Sequence, residues 1–480
     1  MINQIKRIVI VGLGSIGRRH LRLIKEMRPD IQVILVRSGK GKKWPEEELA
    51  NFVVKSLSEA ISIGVDAAII STPAVFHAEQ SIKFIENEIP KDDLYQIICL
   101  AYNKFKHPKI APLVNLDHNK YILELFYGPT LAFKDYALQF LGELFSYAIK
   151  SRNKKITVLG ATSGDTGSAA IEAFKDKENI NVFILHPHNK VSEVQRRQMT
   201  SILNKNIFNI AVEGTFDDCQ NIVKKLFVDK SIQEKTSLTA INSINWARLM
   251  AQTVYYFWAY LQLEEDQVSF IVPSGNFGNV FSAHVAQLMG LPINELHVVT
   301  NQNDILNKII STGYMKINKV YQTHSPSMDI QVSSNFERQI FESVGRDSFK
   351  VSKIMNEFRD KKKYLFESSV QENFKHIYKS SVVNNNETLE IIKTFKDKFD
   401  YLADPHTATG LSVLNKINAN HPYVSLACAH PAKFGDAINR AIGEEPPFPK
   451  DLENIFDKSE KMTILPNNSE DIKSFIIKNI

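Results

Sequence analysis

Glu124-Leu125-Phe126-Tyr127-Gly128-Pro129-Thr130-Leu131-Ala132-Phe133-Lys134-Asp135 is an apolar run that breaks at Gly-Pro and resumes around a single lysine. Leu131, Ala132 and Phe133 come directly before Lys134, so its amine sits in a poorly hydrated neighbourhood. Loss of water disfavours the ammonium and favours the neutral amine, the form that attacks an aldehyde carbon. A lysine at a helix start also snorkels readily to solvent. The run by itself leaves both roles open.

Three further islands of polar and glycine residues lie downstream between apolar segments. Thr157-Val158-Leu159-Gly160-Ala161-Thr162-Ser163-Gly164-Asp165-Thr166-Gly167-Ser168 reads as a strand, a loop of hydroxyls and glycines, and the start of a helix over about Ala169 to Phe174. Hydroxyls and free N–H groups at a helix N-terminus suit a carboxylate or a phosphate, and the same residues would serve as a helix cap. No Gly-Lys-Ser/Thr follows, so this is not a P-loop. Phe270-Ile271-Val272-Pro273-Ser274-Gly275-Asn276-Phe277-Gly278-Asn279 repeats the strand, glycine loop and helix, with the helix expected over Val280 to Met289. It is a second anion cradle. The last island is Asp404-Pro405-His406-Thr407-Ala408-Thr409-Gly410, with Ala429-His430-Pro431-Ala432-Lys433-Phe434 shortly after it. His406 and His430 have no partner at metal-ligand spacing, and no metal site is expected. Thr407 is a neutral hydroxyl able to face a pyridine nitrogen without forcing its protonation. The Asn384-Asn385-Asn386 patch reads as a surface loop.

Upstream the pattern changes. Arg7-Ile8-Val9-Ile10-Val11 is a β-run followed by Gly12-Leu13-Gly14-Ser15-Ile16-Gly17 and a helical stretch from about Arg18 to Met27. Further β-runs are Gln32 to Val36 and Asp66 to Ile70. The β-α-β-α-β order implies parallel strands. The glycine spacing, lying between a strand and a helix, is the dinucleotide fingerprint. Arg37, Ser38, Gly39 and Lys40 stand where NAD sites carry an acid, and a basic group there suits a 2′-phosphate. This segment resembles the N-terminal half of the Gfo/Idh/MocA oxidoreductases through Gly12–Gly17, His20 and Ser71-Thr72-Pro73-Ala74-Val75-Phe76-His77. The Glu-Lys-Pro motif and substrate domain of that family do not follow Phe84. Gly12, Gly14 and Gly17 therefore read as a vestigial dinucleotide site, and NAD(P) chemistry is not expected. A boundary is placed between residues 86 and 87, before the helix start at Asn87-Glu88-Ile89-Pro90.

Bulk properties exclude several classes. Lys and Arg total 58 against 53 Asp and Glu, without a long basic run, so no nucleic-acid partner is expected. Three scattered cysteines form neither a disulfide framework nor a CxxC metal pair. No apolar run reaches membrane-spanning length. Lys6-Arg7 before Ile8–Ile16 mimics a signal peptide, but Arg18-Arg19-His20 follows without a small-residue cleavage site. A cytoplasmic location is expected.

Taken together, the downstream islands resemble the threonine synthase family. Further segments share the likeness: Asn242-Ser243-Ile244-Asn245-Trp246-Ala247-Arg248, Ser327-Met328-Asp329-Ile330-Gln331-Val332-Ser333-Ser334-Asn335-Phe336-Glu337-Arg338 and His430-Pro431-Ala432-Lys433-Phe434. The resemblance implies an α/β architecture. A pyridoxal-phosphate (PLP) region of fold type II, tryptophan synthase β-like, would cover residues 87–480, preceded by a truncated βαβαβ Rossmann-like segment over residues 1–86. It implies PLP as cofactor, with Lys134 as the Schiff-base lysine. Gly275, Asn276, Phe277, Gly278 and Asn279 would hold the cofactor phosphate, Thr407 would face the pyridine nitrogen, and Asp165 would lie near the phenolic oxygen. Thr162, Ser163, Thr166, Asn242, Ser243 and Arg248 would grip the carboxylate or phosphate of O-phospho-L-homoserine. The implied reaction yields L-threonine and phosphate, the last step of threonine biosynthesis, in a monomer or homodimer. The alternatives are a related PLP-dependent dehydratase or phospholyase, or a non-catalytic fusion led by its nucleotide-binding module. Threonine synthases usually begin with a domain carrying a Ser-Thr-Arg-Gly motif. Here the Rossmann half takes that place.

Overall fold

Val9, Ile10 and Val11 are buried, as are Val33, Ile34 and Leu35 on the neighbouring strand. Burial on both faces is the signature of a parallel sheet covered by helices. The sheet runs in the order Phe52–Val54, Gln32–Val36, Arg7–Val11, Ala67–Ile70, and every pair is parallel. The helix Ser15–Met27 follows the glycine turn. A Cβ on Gly17 would sit 2.2 Å from the carbonyl oxygen of Gly12, so only glycine lets the helix approach the strand so closely. The sequence reading counted three strands here. Phe52–Val54 is a fourth; it is apolar, but at three residues, two of them exposed, it is too short to show a period. The Arg37 guanidinium, a basic group of the kind that would suit a 2′-phosphate, is ion-paired with Glu47 on the turn Pro45–Leu49.

The computed structural model describes residues 5–37, 39, 43–71, 89–150, 155–243 and 245–480. Ser38, Lys40, Thr72–His77, Phe84 and Ile244 lie outside them, as does the expected boundary at 86/87. The chain divides into two units, Met1–Ile97 and Ile98–Ile480. The helix Lys91–Tyr102, with Asp92 and Asp93 in its first turn, follows Pro90 as its start signals predict.

The second unit holds two main sheets. The larger has the order Tyr378–Val382, Ile293–Thr300, Val268–Pro273, Tyr423–Ala427, Lys120–Glu124, Leu113–Asp117. Only the terminal pair, Leu113–Asp117 with Lys120–Glu124, is antiparallel. The smaller is parallel throughout, in the order Ser237–Ala240, Ile156–Ala161, Ile180–Pro187, Ile207–Glu213, Thr463–Pro466. Val268–Pro273 and Tyr423–Ala427 are buried along their whole lengths, which explains runs without alternation. The chain leaves the larger sheet at Glu124, turns, and enters the helix Lys134–Lys150. It then builds four strands of the smaller sheet before returning. Glycine loops thus lie at the C-terminal ends of central strands from both sheets, where open α/β sheets bind ligands. Among the described residues no helix is long and apolar enough to cross a membrane.

Asn384-Asn385-Asn386, read as a loop, instead starts the helix Asn385–Phe399. The Asn384 side chain accepts the N–H of Glu387 at 3.0 Å. Asparagine is a strong N-cap, and composition alone did not separate a cap from a loop.

His186, on Ile180–Pro187, is buried, and burial pushes its pKa down to about 4. The unfolded chain takes up this proton below about pH 6.5 while the folded chain does not. The associated stability is complete above that pH and is lost as pH falls towards 4. At pH 5 the loss is about 2 kcal/mol. Urea unfolding at pH 7 and pH 5 is expected to show a stability loss about 2 kcal/mol smaller in His186→Leu than in the parent chain. Equal losses would contradict the assignment.

Candidate active site

Lys134 is placed by a turn that is fixed on two sides. Leu131 adopts a left-handed backbone at φ 60°, a costly conformation for a branched residue. The strain is held by hydrogen bonds to a neighbouring segment: His430 N–H to Leu131 C=O at 3.0 Å and Phe133 N–H to Cys428 C=O at 2.9 Å. Asp135 locks the inner side, accepting the Thr130 N–H at 2.8 Å and hydroxyl at 2.7 Å. Its burial is complete enough to push its pKa up to about 6 despite those bonds. Lys134 therefore enters the cavity from a rigid base.

The sequence suggested purely apolar surroundings for this amine. The Phe133 ring does lie 4.5 Å from Nζ, but a carboxylate faces it as well. Lys134 Nζ donates to Asp165 Oδ2 at 3.0 Å. Lys433 Nζ lies 2.9 Å from Asp165 Oδ1, and Gln195 Nε2 donates to the same oxygen at 2.7 Å. Burial would by itself raise the pKa of Asp165. The two ammonium groups outweigh it and hold the carboxyl well below the usual range.

Around Lys134, one cavity gathers Thr162, Ser163, Asp165, Thr166, Asn242, Ser243, Arg248, Gly275, Asn276, Gly278 and Asn279. Its donors are arranged for anions. Thr162 Oγ1 accepts the N–H groups of Gly164 and Gly167 at 3.0 and 2.9 Å. Ser243 Oγ accepts from Asn276 Nδ2 at 2.9 Å and Asn335 Nδ2 at 2.7 Å. A hydroxyl has two acceptor sites and one proton, so both are left with only a proton to offer. Asn279 Oδ1 accepts from the Tyr255 and Tyr256 hydroxyls, which leaves its buried Nδ2 without a partner. Arg248 is buried, donates to Ile241 C=O at 2.8 Å, and has no partner at Nε among the described residues. Among the described residues no carboxylate ion-pairs with it. Burial lowers its pKa to about 10, leaving it charged at neutral pH.

The glycine turn completes the cradle. Phe277 is left-handed at φ 62° and precedes the helix Gly278–Leu288 without a side-chain cap. Its ring packs 4.9 Å from Phe336 and 5.4 Å from Tyr378. Phe277 is thus off the cavity wall and anchors the turn from beneath, while the first-turn amides keep no partner within the helix. A Cβ on Gly275 would come within 2.8 Å of Met328 Cα, so only glycine leaves room between the turn and the segment Pro326–Ile330. These features fit a phosphate near the turn and an aldehyde within reach of Lys134.

Thr407 is also off the wall. Its hydroxyl donates to Asp404 and accepts the Cys428 N–H at 2.8 Å. A ring nitrogen facing it would compete with Asp404 for one proton. His406 reaches the wall instead. Its Nδ1 lies 2.8 Å from Asp404 Oδ1, and its Nε2 accepts the Ser327 N–H at 3.2 Å. His430 caps the turn Pro431–Phe434 through the Ala432 N–H, and burial lowers its pKa to about 4. Gln252, which lines the cavity, and Gln195 and Lys433, which hold Asp165, had no assigned role in the sequence. Lys433 had a signal: Ala432-Lys433-Phe434 is a lysine in apolar company, like Lys134. The glutamines had none, because partners far away in the chain define them.

Residues 106–355 match the family of pyridoxal-phosphate dependent enzymes, residues 407–476 the threonine synthase C-terminal family, and residues 6–99 the oxidoreductase family with an NAD-binding Rossmann fold. The chain is 44% identical to the threonine synthase of Pseudomonas aeruginosa over 398 residues, which are 82% of this chain and 85% of that one. It is 40% identical to that of Saccharomyces cerevisiae, over 79% of this chain and 82% of that one. The crystal structure of PLP-bound threonine synthase from Brucella melitensis superposes with a TM-score of 0.79 at 44% identity, covering 83% of this chain and 86% of that one. Gly275→Ala is expected to weaken PLP binding at least about tenfold, or 1.4 kcal/mol, in a fluorescence titration of the apo-protein. An unchanged affinity would remove the turn from the cofactor site. On these matches, and on a cavity whose donors suit them, the chain belongs to the threonine synthase family of PLP-dependent enzymes.

Proposed function

We propose that this chain converts O-phospho-L-homoserine and water into L-threonine and phosphate, with PLP carried on Lys134. The observation that supports this most is Arg248, a buried guanidinium that has no carboxylate partner among the described residues and lines the same cavity as Lys134. A buried unpaired charge is costly, and a substrate phosphate relieves it with charge-assisted hydrogen bonds.

When bound, PLP acts as an electron sink for the amino acid attached to it. The chain's own residues do the rest. Gly275 to Asn279 hold the cofactor phosphate through backbone N–H groups and the free Asn279 Nδ2. Thr162, Ser163 and Thr166, at the N-terminus of the helix Asp165–Phe174, orient the substrate carboxylate. Asn242, Ser243 and Arg248 hold the substrate phosphate while the Cγ–O bond breaks. Lys134 Nζ would take the Cα proton, return it to the substrate–cofactor adduct, and as a neutral amine again take a Cβ proton, with Asp165 Oδ2 at 3.0 Å holding the ammonium formed at each stage. Water adds at Cβ after phosphate departs, so solvent must be excluded until then. The three free cysteines support a reducing, cytoplasmic setting.

The purified protein is expected to absorb in the visible, and Lys134→Ala to lose that band. Arg248→Ala is expected to lower kcat/KM for phosphate release from O-phosphohomoserine by at least about 10²-fold, roughly 3 kcal/mol. It should gain no turnover of unphosphorylated hydroxyamino acids. A colourless parent protein would overturn the PLP reading, and an unimpaired Arg248→Ala would favour a dehydratase.

A further inference from the structure

Lys433 is the second ammonium on Asp165, and the reaction proposed above gives it no task. It is 1% exposed and belongs to the turn Pro431–Phe434. Its Nζ donates to Thr130 C=O at 2.6 Å and lies 2.9 Å from Asp165 Oδ1. Gln195 Nε2 donates to that oxygen at 2.7 Å. Asp165 Oδ2 is approached by Lys134 at 3.0 Å. The two oxygens therefore have different duties. Oδ1 is bound by side chains that do not line the cavity, and Oδ2 is turned to the one amine that changes its bonding during turnover.

A fully buried carboxylate needs a cation beside it at every stage. Lys134 cannot supply one throughout, because its nitrogen must lose its charge to act as a base. We propose that Lys433 is a positioning residue, the standing counter-ion that keeps Asp165 ionised and aimed at position 134 whatever charge Lys134 carries. Thr130 ties this cation to the turn that places Lys134, since the Thr130 N–H and hydroxyl hold Asp135 while its carbonyl holds Lys433. The other charged or titratable groups facing the cluster are His406 and Asp404 at the start of the helix Pro405–Lys416, Cys428 after its strand, His430 ahead of the turn that carries Lys433, and Asp135. All of them remain when Lys433 is replaced.

This inference rests on the reading that Lys134 carries PLP, and the test separates the two. The visible band of the holoenzyme is titrated against pH in the parent protein and in Lys433→Met, Lys433→Arg and Gln195→Met. Removing a cation raises the proton affinity of whatever titrates beside it. In Lys433→Met the midpoint is expected to rise by about one pH unit or more. Lys433→Arg keeps the charge and should stay within a few tenths of the parent. Gln195→Met removes a neutral donor from the same oxygen and should move the midpoint far less than Lys433→Met. An unmoved or lowered midpoint in Lys433→Met, or an equal shift in Gln195→Met, overturns the counter-ion role while leaving the PLP reading intact. Absence of the band from the parent protein overturns both. Should Lys433→Met fail to retain the band, Lys433→Arg decides: a shift of a unit or more there overturns the proposal.

Discussion

Asp165 receives one ammonium on each carboxylate oxygen, and the arrangement of the site depends on that contact. Lys134 and Lys433 are 299 positions apart; the first opens a helix and the second lies in a turn. The carboxylate that joins them opens the helix Asp165–Phe174, where a negative charge is favoured by the helix dipole. Burial of all three groups is tolerable only together, since any one left alone would be an uncompensated charge in a low-dielectric interior. The cluster joins the smaller sheet, which supplies Asp165, to the segment that leaves the larger sheet at Glu124.

The same logic of commitment runs through the neutral groups. Thr162 and Ser243 each spend both acceptor positions on the protein. Asn279 spends its carbonyl oxygen on two tyrosines. What these three groups have left to offer is a donor each, which suits anionic oxygens before any ligand arrives. The left-handed backbones of Leu131 and Phe277 show where local geometry was forced. Each is a bulky residue whose strain is repaid by core packing or by hydrogen bonds to a neighbouring segment.

The N-terminal unit obeys the rules of its own fold. The two central strands of its parallel sheet, Arg7–Val11 and Gln32–Val36, bury apolar residues on both faces, and Gly17 meets the close approach that the turn requires. Its basic position after the second strand is already neutralised by Glu47. That pairing arises because the turn Pro45–Leu49 carries three glutamates, one of which reaches Arg37. The spacing from the strand to the arginine revealed nothing of it.

Periodicity and punctuation carry information along the chain, and those parts were legible. Unbroken β-branched runs marked parallel strands, and strand–glycine–helix transitions marked both anion cradles. A lysine in an apolar run marked Lys134, and ordered segments identified the family. What depended on distant partners was not legible. Phe277 and Asn276 are adjacent in the glycine turn, yet one is a core anchor and the other a wall residue, and only the packing of Phe336 and Tyr378 separates them. Thr407 reads as a free hydroxyl until Asp404 is seen to hold its proton. Sequence alone determined the strands, the helices and the chemical types gathered in the loops, because backbone sterics and hydrophobic burial act locally and repeat with a short period. Tertiary structure decided which oxygen accepts, which proton is spare and which charge is paired, because a buried polar group is defined by partners that only the folded chain brings within 3 Å.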